Sequence, residues 1–274
     1  MPLLQILVLA IVQGTTEFLP VSSSGHLILV PRLTGWPDQG LAIDVAAHVG
    51  TLLAVLIYFW RDVGRLLLGF GRLARGRVDD GGRLALYLLA ATVPALAIGL
   101  LVERYLGDAL RSPEVVAWAL IGFGGVLYLS DRIGMTIRSI GHMTLAHALI
   151  IGLAQTLAFI PGTSRSGITM TAARILGYER AEAARFSFLL SIPAISAAGL
   201  WKGREVFAGG DPAMIEAAVW MAGLSAITGV LAIAFLMAWL RRATFTPFVA
   251  YRIALGGVLL WMIYSGALGP LQGS

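Results

Sequence analysis

The sequence predicts an all-α polytopic membrane protein with two inverted repeats, each a re-entrant helical hairpin followed by three transmembrane helices. Three observations support this prediction. Hydrophobic residues make up 58% of the 274 residues and charged residues only 13%, which is typical of a membrane protein. Apolar segments run along the whole chain. A short polar motif interrupts an apolar stretch twice, at residues 13–26 and again at 155–170.

Six apolar segments are long enough to cross a bilayer, which takes roughly 17–25 residues. They are Leu41–Trp60, Leu84–Val102, Pro113–Leu129, Ala183–Leu200, Met214–Leu240 and Thr246–Leu268. Arginines in short loops mark the cytoplasmic side, and the loop 61–83 is rich in arginine. If each predicted span crosses the membrane once, residues 130–143 lie on the cytoplasmic side, and residues 103–112 and 201–213 lie on the outer side.

Two further apolar stretches, 2–31 and 144–176, are each broken by one copy of the polar motif. We interpret both as re-entrant hairpins, because irregular backbone at membrane depth is tolerated where protein or trapped water satisfies it. The alternative is a pair of ordinary spanning helices that are kinked at Pro20 and Pro161.

The hairpin interpretation makes the chain a single membrane domain, 1–274, with repeat 1 at about 1–130 and repeat 2 at about 144–268. Three spans follow each hairpin, and three is odd, so the two repeats have opposite orientations. Proteins built in this way place their functional site near the midplane, where the broken helices meet.

The two motif copies are QGTTEFLPVSSSGH and QTLAFIPGTSRSGITM. Glu-Phe-Leu-Pro at 17–20 aligns with Ala-Phe-Ile-Pro at 158–161, and Ser-Ser-Gly at 23–25 aligns with Ser-Arg-Ser-Gly at 164–167 with one insertion. One copy contains an acid and a histidine, and the other contains an arginine. If the two breaks meet, Glu17 and His26 face Arg165.

The second break has the features of a site for an oxyanion, most simply phosphate. The planar guanidinium of Arg165 suits bidentate binding of phosphate. Ser164, Ser166 and Thr169 add hydroxyl donors, and a helix that starts here would add free amide groups. The alternative is a structural ion pair between Arg165 and Glu17.

The first break offers groups for catalysis. Glu17 follows Gln13 by four residues, so both lie on one helical face. A carboxylate here can act as a general base or bind a hard cation that bridges phosphate oxygens. His26 can transfer protons near neutral pH, and one of the serines at 22–24 would be the nucleophile. Packing alone is the alternative role for His26.

Weaker candidates lie elsewhere. Asp44 and His48 share a helical face and would line the cavity or pair with each other. We attribute Arg252 to snorkelling towards a cytoplasmic helix end. The chain has no cysteine, which excludes disulfides and thiolate metal sites. It also shows no basic, aromatic-interleaved face, which argues against nucleic-acid binding.

Both motifs resemble the signature motifs of the bacterial undecaprenyl-diphosphate phosphatases, the bacitracin-resistance family. The resemblance extends over essentially the whole chain, including 184–195 and 245–257. It implies an inner-membrane enzyme that hydrolyses undecaprenyl diphosphate to undecaprenyl phosphate and inorganic phosphate, and so recycles the lipid carrier for peptidoglycan. It also implies the inverted-repeat fold, a site open to the periplasm, and a requirement for a divalent cation such as Mg²⁺ or Ca²⁺.

The family's Glu/Gln-x-x-x-Glu motif falls on Gln13 and Glu17, which are the implied cation ligands. Gln13 is uncharged, so one carboxylate stands where many family members have two. The other site residues that the resemblance implies are Ser22, Ser23, Ser24, His26, Ser164, Arg165, Ser166 and Thr169. On this hypothesis the residues at 164–169 bind the diphosphate and Ser23 attacks the terminal phosphorus while His26 transfers protons. Direct attack by His26, or by water activated at Glu17, are the alternatives.

The main rival is a polyprenyl-phosphate transporter or flippase with the same phosphate site, because inverted repeats with broken helices are typical of carriers. The presence of Glu17, Ser23 and His26 favours the enzyme, since a carrier needs no nucleophile. The lipid phosphatases related to phosphatidic acid phosphatase are rejected, because their Lys-led first motif is missing and no histidine closely follows Arg165. The expected partners are the bilayer and a polyprenyl diphosphate, with a homodimer left open.

Overall fold

The computed structural model describes residues 2–106, 112–208 and 211–266, and the chain is predominantly helical within these ranges. The α-helices in chain order are α1 (Leu3–Thr16), α2 (Ser23–Thr34), α3 (Gly40–Tyr58), α4 (Trp60–Leu73), α5 (Asp80–Leu106), α6 (Pro113–Ile133), α7 (Leu145–Gln155), α8 (Arg165–Ile175), α9 (Arg180–Ala208), α10 (Pro212–Leu240) and α11 (Thr246–Tyr264). Short 3₁₀ helices occupy Ile140–His142 and Thr156–Phe159. The predicted all-α class is confirmed.

Five helices in the described ranges are long and apolar enough to cross a membrane. They are α3, the part of α5 from Asp80 to Gly99, α6, α10 and α11. Each corresponds to one of the predicted spans. The predicted end of the last span, at residues 267–268, and half of the predicted 103–112 loop, at 107–111, lie outside the described residues.

The sixth predicted span, Ala183–Leu200, falls within α9, which is helical but is not among the five. This helix packs against α3, α5, α8 and α10. Phe186, Phe188, Leu189 and Leu190 are all buried. These apolar side chains of α9 therefore pack against other helices of the protein.

Both motif-bearing stretches consist of two helices separated by irregular backbone. In the first, α1 ends at Thr16 and α2 begins at Ser23. In the second, α7 ends at Gln155 and α8 begins at Arg165. The two helices of each stretch pack against each other. Neither stretch is therefore one continuous helix with a proline kink.

Small residues allow the helices to approach closely. A Cβ added to Gly50 of α3 would lie 2.3 Å from the carbonyl oxygen of Ala222 in α10. A Cβ added to Gly152 of α7 would lie 2.2 Å from the carbonyl oxygen of Ala91 in α5. Helices that associate in a bilayer rely on such contacts, since burial from water contributes little there.

A buried ionic cluster joins α6, α8, α9 and the turn before α11. Arg174 is fully buried, and its Nε donates to Asp131 Oδ1 at 3.1 Å. Arg180 Nε donates to the same oxygen at 2.7 Å, and the backbone N–H of Phe245 donates to Asp131 Oδ2 at 3.2 Å. A buried charge is tolerated only when it is paired and hydrogen-bonded in this way. The cluster therefore anchors the end of α8, whose beginning forms part of the site.

Candidate active site

The first break is shaped by Phe18 and Ser22. Phe18 is fully buried and packs edge-on against Phe188 at a centroid distance of 5.3 Å. Ser22 has φ 77°, a region that residues other than glycine seldom adopt. Its hydroxyl accepts a hydrogen bond from the backbone N–H of Gly25 at 3.4 Å. This cap starts α2, so that Ser23 is its first helical residue.

The second break repeats this turn. Ser164 has φ 70°, and its hydroxyl accepts from the backbone N–H of Gly167 at 3.1 Å. Arg165 is therefore the first residue of α8, as Ser23 is of α2. The structure matches Ser22–Gly25 with Ser164–Gly167 without a gap. The inserted residue consequently lies before the serine and not within the Ser-Arg-Ser-Gly sequence, which corrects the alignment made from the sequence.

The two helix starts meet at the carboxylate of Glu17, which is only 6% exposed. Arg165 Nη2 donates to Glu17 Oε1 at 2.8 Å. Ser23 Oγ donates to Glu17 Oε2 at 2.7 Å. The predicted juxtaposition of an acid from one break and a guanidinium from the other is thus present, with a serine hydroxyl on the second carboxylate oxygen.

Two further contacts join the breaks directly. Ser166 Oγ donates to the carbonyl oxygen of Leu19 at 3.2 Å. Arg252 of α11 is fully buried and donates to carbonyl oxygens of both breaks, to Pro20 at 3.3 Å and to Thr163 at 2.9 Å. It also donates to Gly162 and to two carbonyls of α6, at Ala119 and Leu120. The attribution of Arg252 to snorkelling is therefore wrong.

His26 does not face Arg165 as expected. Its Nδ1 lies 2.7 Å from the carbonyl oxygen of Ser22, and its Nε2 lies 2.6 Å from Tyr251 Oη on α11. The two rings stack with an interplanar angle of 6°. Within the described part of the chain, His26 makes no hydrogen bond or ion pair with Ser23, Glu17 or Arg165. The hydroxyl of Ser23 donates instead to the carboxylate.

The imidazole closest to the carboxylate belongs to His48, which the sequence offered only as a weaker candidate. His48 Nε2 lies 3.8 Å from Glu17 Oε2. His48 Nδ1 lies 2.8 Å from the carbonyl oxygen of Asp44, one helical turn earlier. The spacing of Asp44 and His48 therefore indicated that His48 lines the site, but it did not predict the contact between His48 and Glu17.

The remaining hydroxyls differ in how far they are open to a ligand. Ser24 is exposed. Ser22, Ser164, Ser166 and Thr169 are buried, and they bond to neighbouring groups of the protein. Thr169 Oγ1, in particular, lies 2.7 Å from the hydroxyl of Ser187 on α9. The buried hydroxyls thus shape the two breaks, and their direct contact with phosphate stays a prediction.

The chain matches the family model described as "Bacitracin resistance protein BacA" over residues 6–258. It belongs to this BacA family. It is 51% identical to an undecaprenyl-diphosphatase of Roseobacter denitrificans over 97% of this chain and 100% of that protein. It is 50% identical to undecaprenyl-diphosphatase 1 of Rhodospirillum rubrum over 97% of each chain. It is 52% identical to an undecaprenyl-diphosphatase of Dinoroseobacter shibae over 97% of this chain and 100% of that protein.

The divalent cation expected from the BacA resemblance can be tested against the groups beside Glu17. Gln13 Nε2 donates to Glu17 Oε2 at 3.1 Å. Gln13 Oε1 is buried and has no hydrogen-bond partner in the described structure. A carboxylate and an amide oxygen both suit Mg²⁺ or Ca²⁺, and Gln13 would present its oxygen to an ion at Glu17 by turning the amide that now donates through Nε2. No cluster of three or more acidic or histidine side chains is present among the described residues. These residues therefore fit an open cation site that a substrate would complete.

Proposed function

We propose that this chain hydrolyses undecaprenyl diphosphate to undecaprenyl phosphate and inorganic phosphate. Glu17 is the observation that supports this most directly. One of its carboxylate oxygens accepts from a serine hydroxyl and the other from an arginine, and each donor begins a different helix. BacA relatives that are about half identical over their full length are named for this activity. The reaction recycles the lipid carrier for peptidoglycan synthesis.

Arg165 binds the terminal phosphate. Its guanidinium contacts Glu17 through Nη2, so the other donors of its planar fork are free to bind phosphate oxygens. The amides of Gly25 and Gly167 are bonded to the cap serines. The first two amides of α2 and of α8 have no partners within their own helices and add donors of the kind that bind anions. The exposed hydroxyl of Ser24 adds another donor beside them.

Ser23 is the nucleophile and Glu17 is its general base. The Ser23 oxygen attacks the terminal phosphorus, its proton passes to Glu17, and the bond from that phosphorus to the bridging oxygen breaks, so that undecaprenyl phosphate leaves. Water then cleaves the phosphoserine, which releases inorganic phosphate and restores the hydroxyl. The 2.7 Å hydrogen bond from Ser23 to Glu17 supports this assignment over proton transfer by His26.

Gln13 and Glu17 would hold a divalent cation, with an amide oxygen and a carboxylate as its ligands. When bound, the cation neutralises charge on the diphosphate. Arg165 supplies further positive charge at the same carboxylate. Phosphoryl transfer depends mainly on positioning and on charge stabilisation, which these residues provide together.

The membrane arrangement that we propose is two inverted repeats in the bacterial inner membrane, with α1–α2 and α7–α8 as re-entrant hairpins and the site open to the periplasm. Three features support it. The helices of each pair pack against each other, both breaks contain the same serine-capped turn, and Arg252 and Ser166 join the breaks. The arginine-rich segment 61–83 supports the orientation.

Release of inorganic phosphate from undecaprenyl diphosphate by the purified full-length protein in detergent tests this function. We expect Ser23→Ala and Glu17→Gln each to lower turnover by about a hundredfold or more. Ser265→Ala changes an exposed serine at the end of α11, so it is the matched control. Wild-type protein that releases no phosphate, or Ser23→Ala at full turnover, would refute the proposal.

The same assay separates the enzyme from a transporter. Detergent-purified protein has no membrane to transport across, so phosphate release requires hydrolysis. The bond between Ser23 and Glu17 favours the enzyme, because a carrier needs phosphate-binding groups but no activated hydroxyl.

A further inference from the structure

The hydrogen bonds of His26 determine which of its nitrogens is protonated. A carbonyl oxygen only accepts, so His26 Nδ1 donates its proton to Ser22 at 2.7 Å. In the neutral ring, Nε2 then has no proton. The 2.6 Å contact must be a bond that the hydroxyl of Tyr251 donates to Nε2. The neutral ring with its proton on Nδ1 can therefore make both hydrogen bonds at once, one to Ser22 and one from Tyr251.

The corresponding turn at the second break shows what His26 does for the first. At the second break, the backbone N–H of Ile168 donates to the Ser164 carbonyl at 2.9 Å, a normal first bond of a helix. At the first break, the equivalent bond from the His26 backbone N–H to the Ser22 carbonyl is stretched to 3.4 Å. The imidazole of His26 bonds to that carbonyl more closely than the backbone does. Ile168 has no such group.

We infer that Tyr251 is a positioning residue, whose hydroxyl anchors the His26 ring through Nε2 so that Nδ1–H fixes the Ser22 carbonyl and presents Ser23 to Glu17. The inference rests on the proposed function, in which Ser23 is the nucleophile. Ser22 lies at a strained φ of 77° and directly precedes Ser23. A backbone held in a sparsely populated region needs such support from its surroundings.

Helix α11 therefore supports the first break from both sides. Arg252 bonds to the carbonyl of Pro20, before the turn. Tyr251, the preceding residue, acts through His26 on the carbonyl of Ser22, within the turn. Only Val21 lies between these two carbonyls. A shift of α11 would move the turn that ends at the nucleophile.

Tyr251→Phe tests the inference, because it removes the hydroxyl and keeps the ring that stacks on His26. The matched control is Tyr264→Phe on the same helix, which removes a hydroxyl that donates to Glu114 Oε1 at 2.7 Å, away from the site. We expect Tyr251→Phe to lower kcat by about tenfold, the lower end of the loss seen when a metal-bound histidine loses its hydrogen-bond partner, with KM within about twofold. The control should match wild type.

Nitrogen-15 NMR of the histidine-labelled, purified full-length protein gives a readout that does not depend on activity. The chain has four histidines, and a His26→Gln variant identifies the His26 signals. We expect the neutral Nδ1–H tautomer at neutral pH in both proteins, because the Ser22 carbonyl accepts only from Nδ1–H, and a shifted Nε2 signal in Tyr251→Phe, which lacks the hydroxyl that donates to Nε2. A wild-type His26 that is charged or is the Nε2–H tautomer would overturn the inference, as would an unchanged spectrum in Tyr251→Phe.

A double-mutant cycle shows whether Tyr251 acts through His26. If it does, the His26→Gln/Tyr251→Phe protein turns over as fast as His26→Gln alone. Independent, multiplying losses would refute the coupling, as would an unchanged kcat in Tyr251→Phe. If wild-type protein released no phosphate at all, the proposed function would fail, and the NMR comparison would still decide the pairing of Tyr251 with His26.

Discussion

Arg252 is a buried clamp, and replacing it should destabilise the protein. Its guanidinium is 0% exposed and donates to carbonyls of both breaks and of α6. If Arg252 snorkelled to the surface, its substitution would be nearly neutral. Arg252→Met keeps much of the side-chain volume and removes every donor, so this variant separates the two interpretations.

The expected loss follows from the carbonyls that would lose their donor. Those of Ala119 and Leu120 lie inside α6 and keep their helical bonds. Those of Pro20, Gly162 and Thr163 belong to the irregular breaks. Leaving a buried acceptor unsatisfied costs about 1–3 kcal/mol, so we expect a loss on the order of 3 kcal/mol after partial relaxation. At about 2–4 °C per kcal/mol for a chain of this size, the unfolding midpoint should fall by roughly 6–12 °C.

The assay is thermal unfolding of purified protein in one detergent, followed by the fluorescence of the seven tryptophans. Arg61→Met is the control, since Arg61 is exposed and its guanidinium lies 5.0 Å from the ring centroid of Trp60. Arg252→Lys should fall between wild type and Arg252→Met, because an ammonium can reach only some of the carbonyls. An unfolding midpoint for Arg252→Met within about 1 °C of wild type, with hydrolysis retained, would refute the clamp.

Further predictions concern charge at the site and in the core. Arg165→Ala should lower phosphate release by about 10³-fold or more, with Arg165→Lys intermediate, because the transferred phosphoryl loses its arginine; near-normal turnover of the alanine variant would refute the assignment. Chelation should abolish wild-type phosphate release, and Gln13→Glu should lower the Mg²⁺ concentration for half-maximal rate by about tenfold, because a second carboxylate adds charge to the cation site; an unchanged Mg²⁺ titration would argue against this site. Asp131→Asn should destabilise the protein by about 3 kcal/mol in thermal unfolding, because it leaves Arg174 buried without its carboxylate, whereas Asp80→Asn, at an exposed pair with Arg83, should have little effect.

Hydropathy was sufficient to predict five of the spans because less than half of each is buried inside the protein, which leaves an apolar outer surface. The five helices identified by length and hydropathy coincide with predicted spans. The sixth predicted span lies within α9, which packs against four other helices. Arg252, in contrast, was misassigned. Its distance from the helix end suggested snorkelling, but burial depends on α6 and the breaks, which are remote in sequence.

The sequence predicted which charged side chains meet at the site, but it did not predict the hydrogen-bond partners of His26 and Thr169. The complementary Glu17 and Arg165 in two copies of one motif indicated that the breaks meet, and the structure brings these residues together. The partner of His26 could not be predicted, because Tyr251 follows it by 225 residues and lies outside both motifs. The orientation of Thr169 towards Ser187 likewise depends on how α8 packs on α9.

In the proposed mechanism, the contact between Arg165 and Glu17 links substrate binding to catalysis. Arg165 Nη2 and Glu17 Oε1 are 2.8 Å apart, and the same carboxylate accepts from Ser23 through Oε2. A diphosphate bound at Arg165 competes with Glu17 for the guanidinium, because both are anions that accept the same donors. As Arg165 turns towards the phosphate, Glu17 loses part of its countercharge and accepts the Ser23 proton more readily. The hydroxyl is thus activated when there is a phosphorus to attack, and water that enters without substrate meets a carboxylate already paired with arginine.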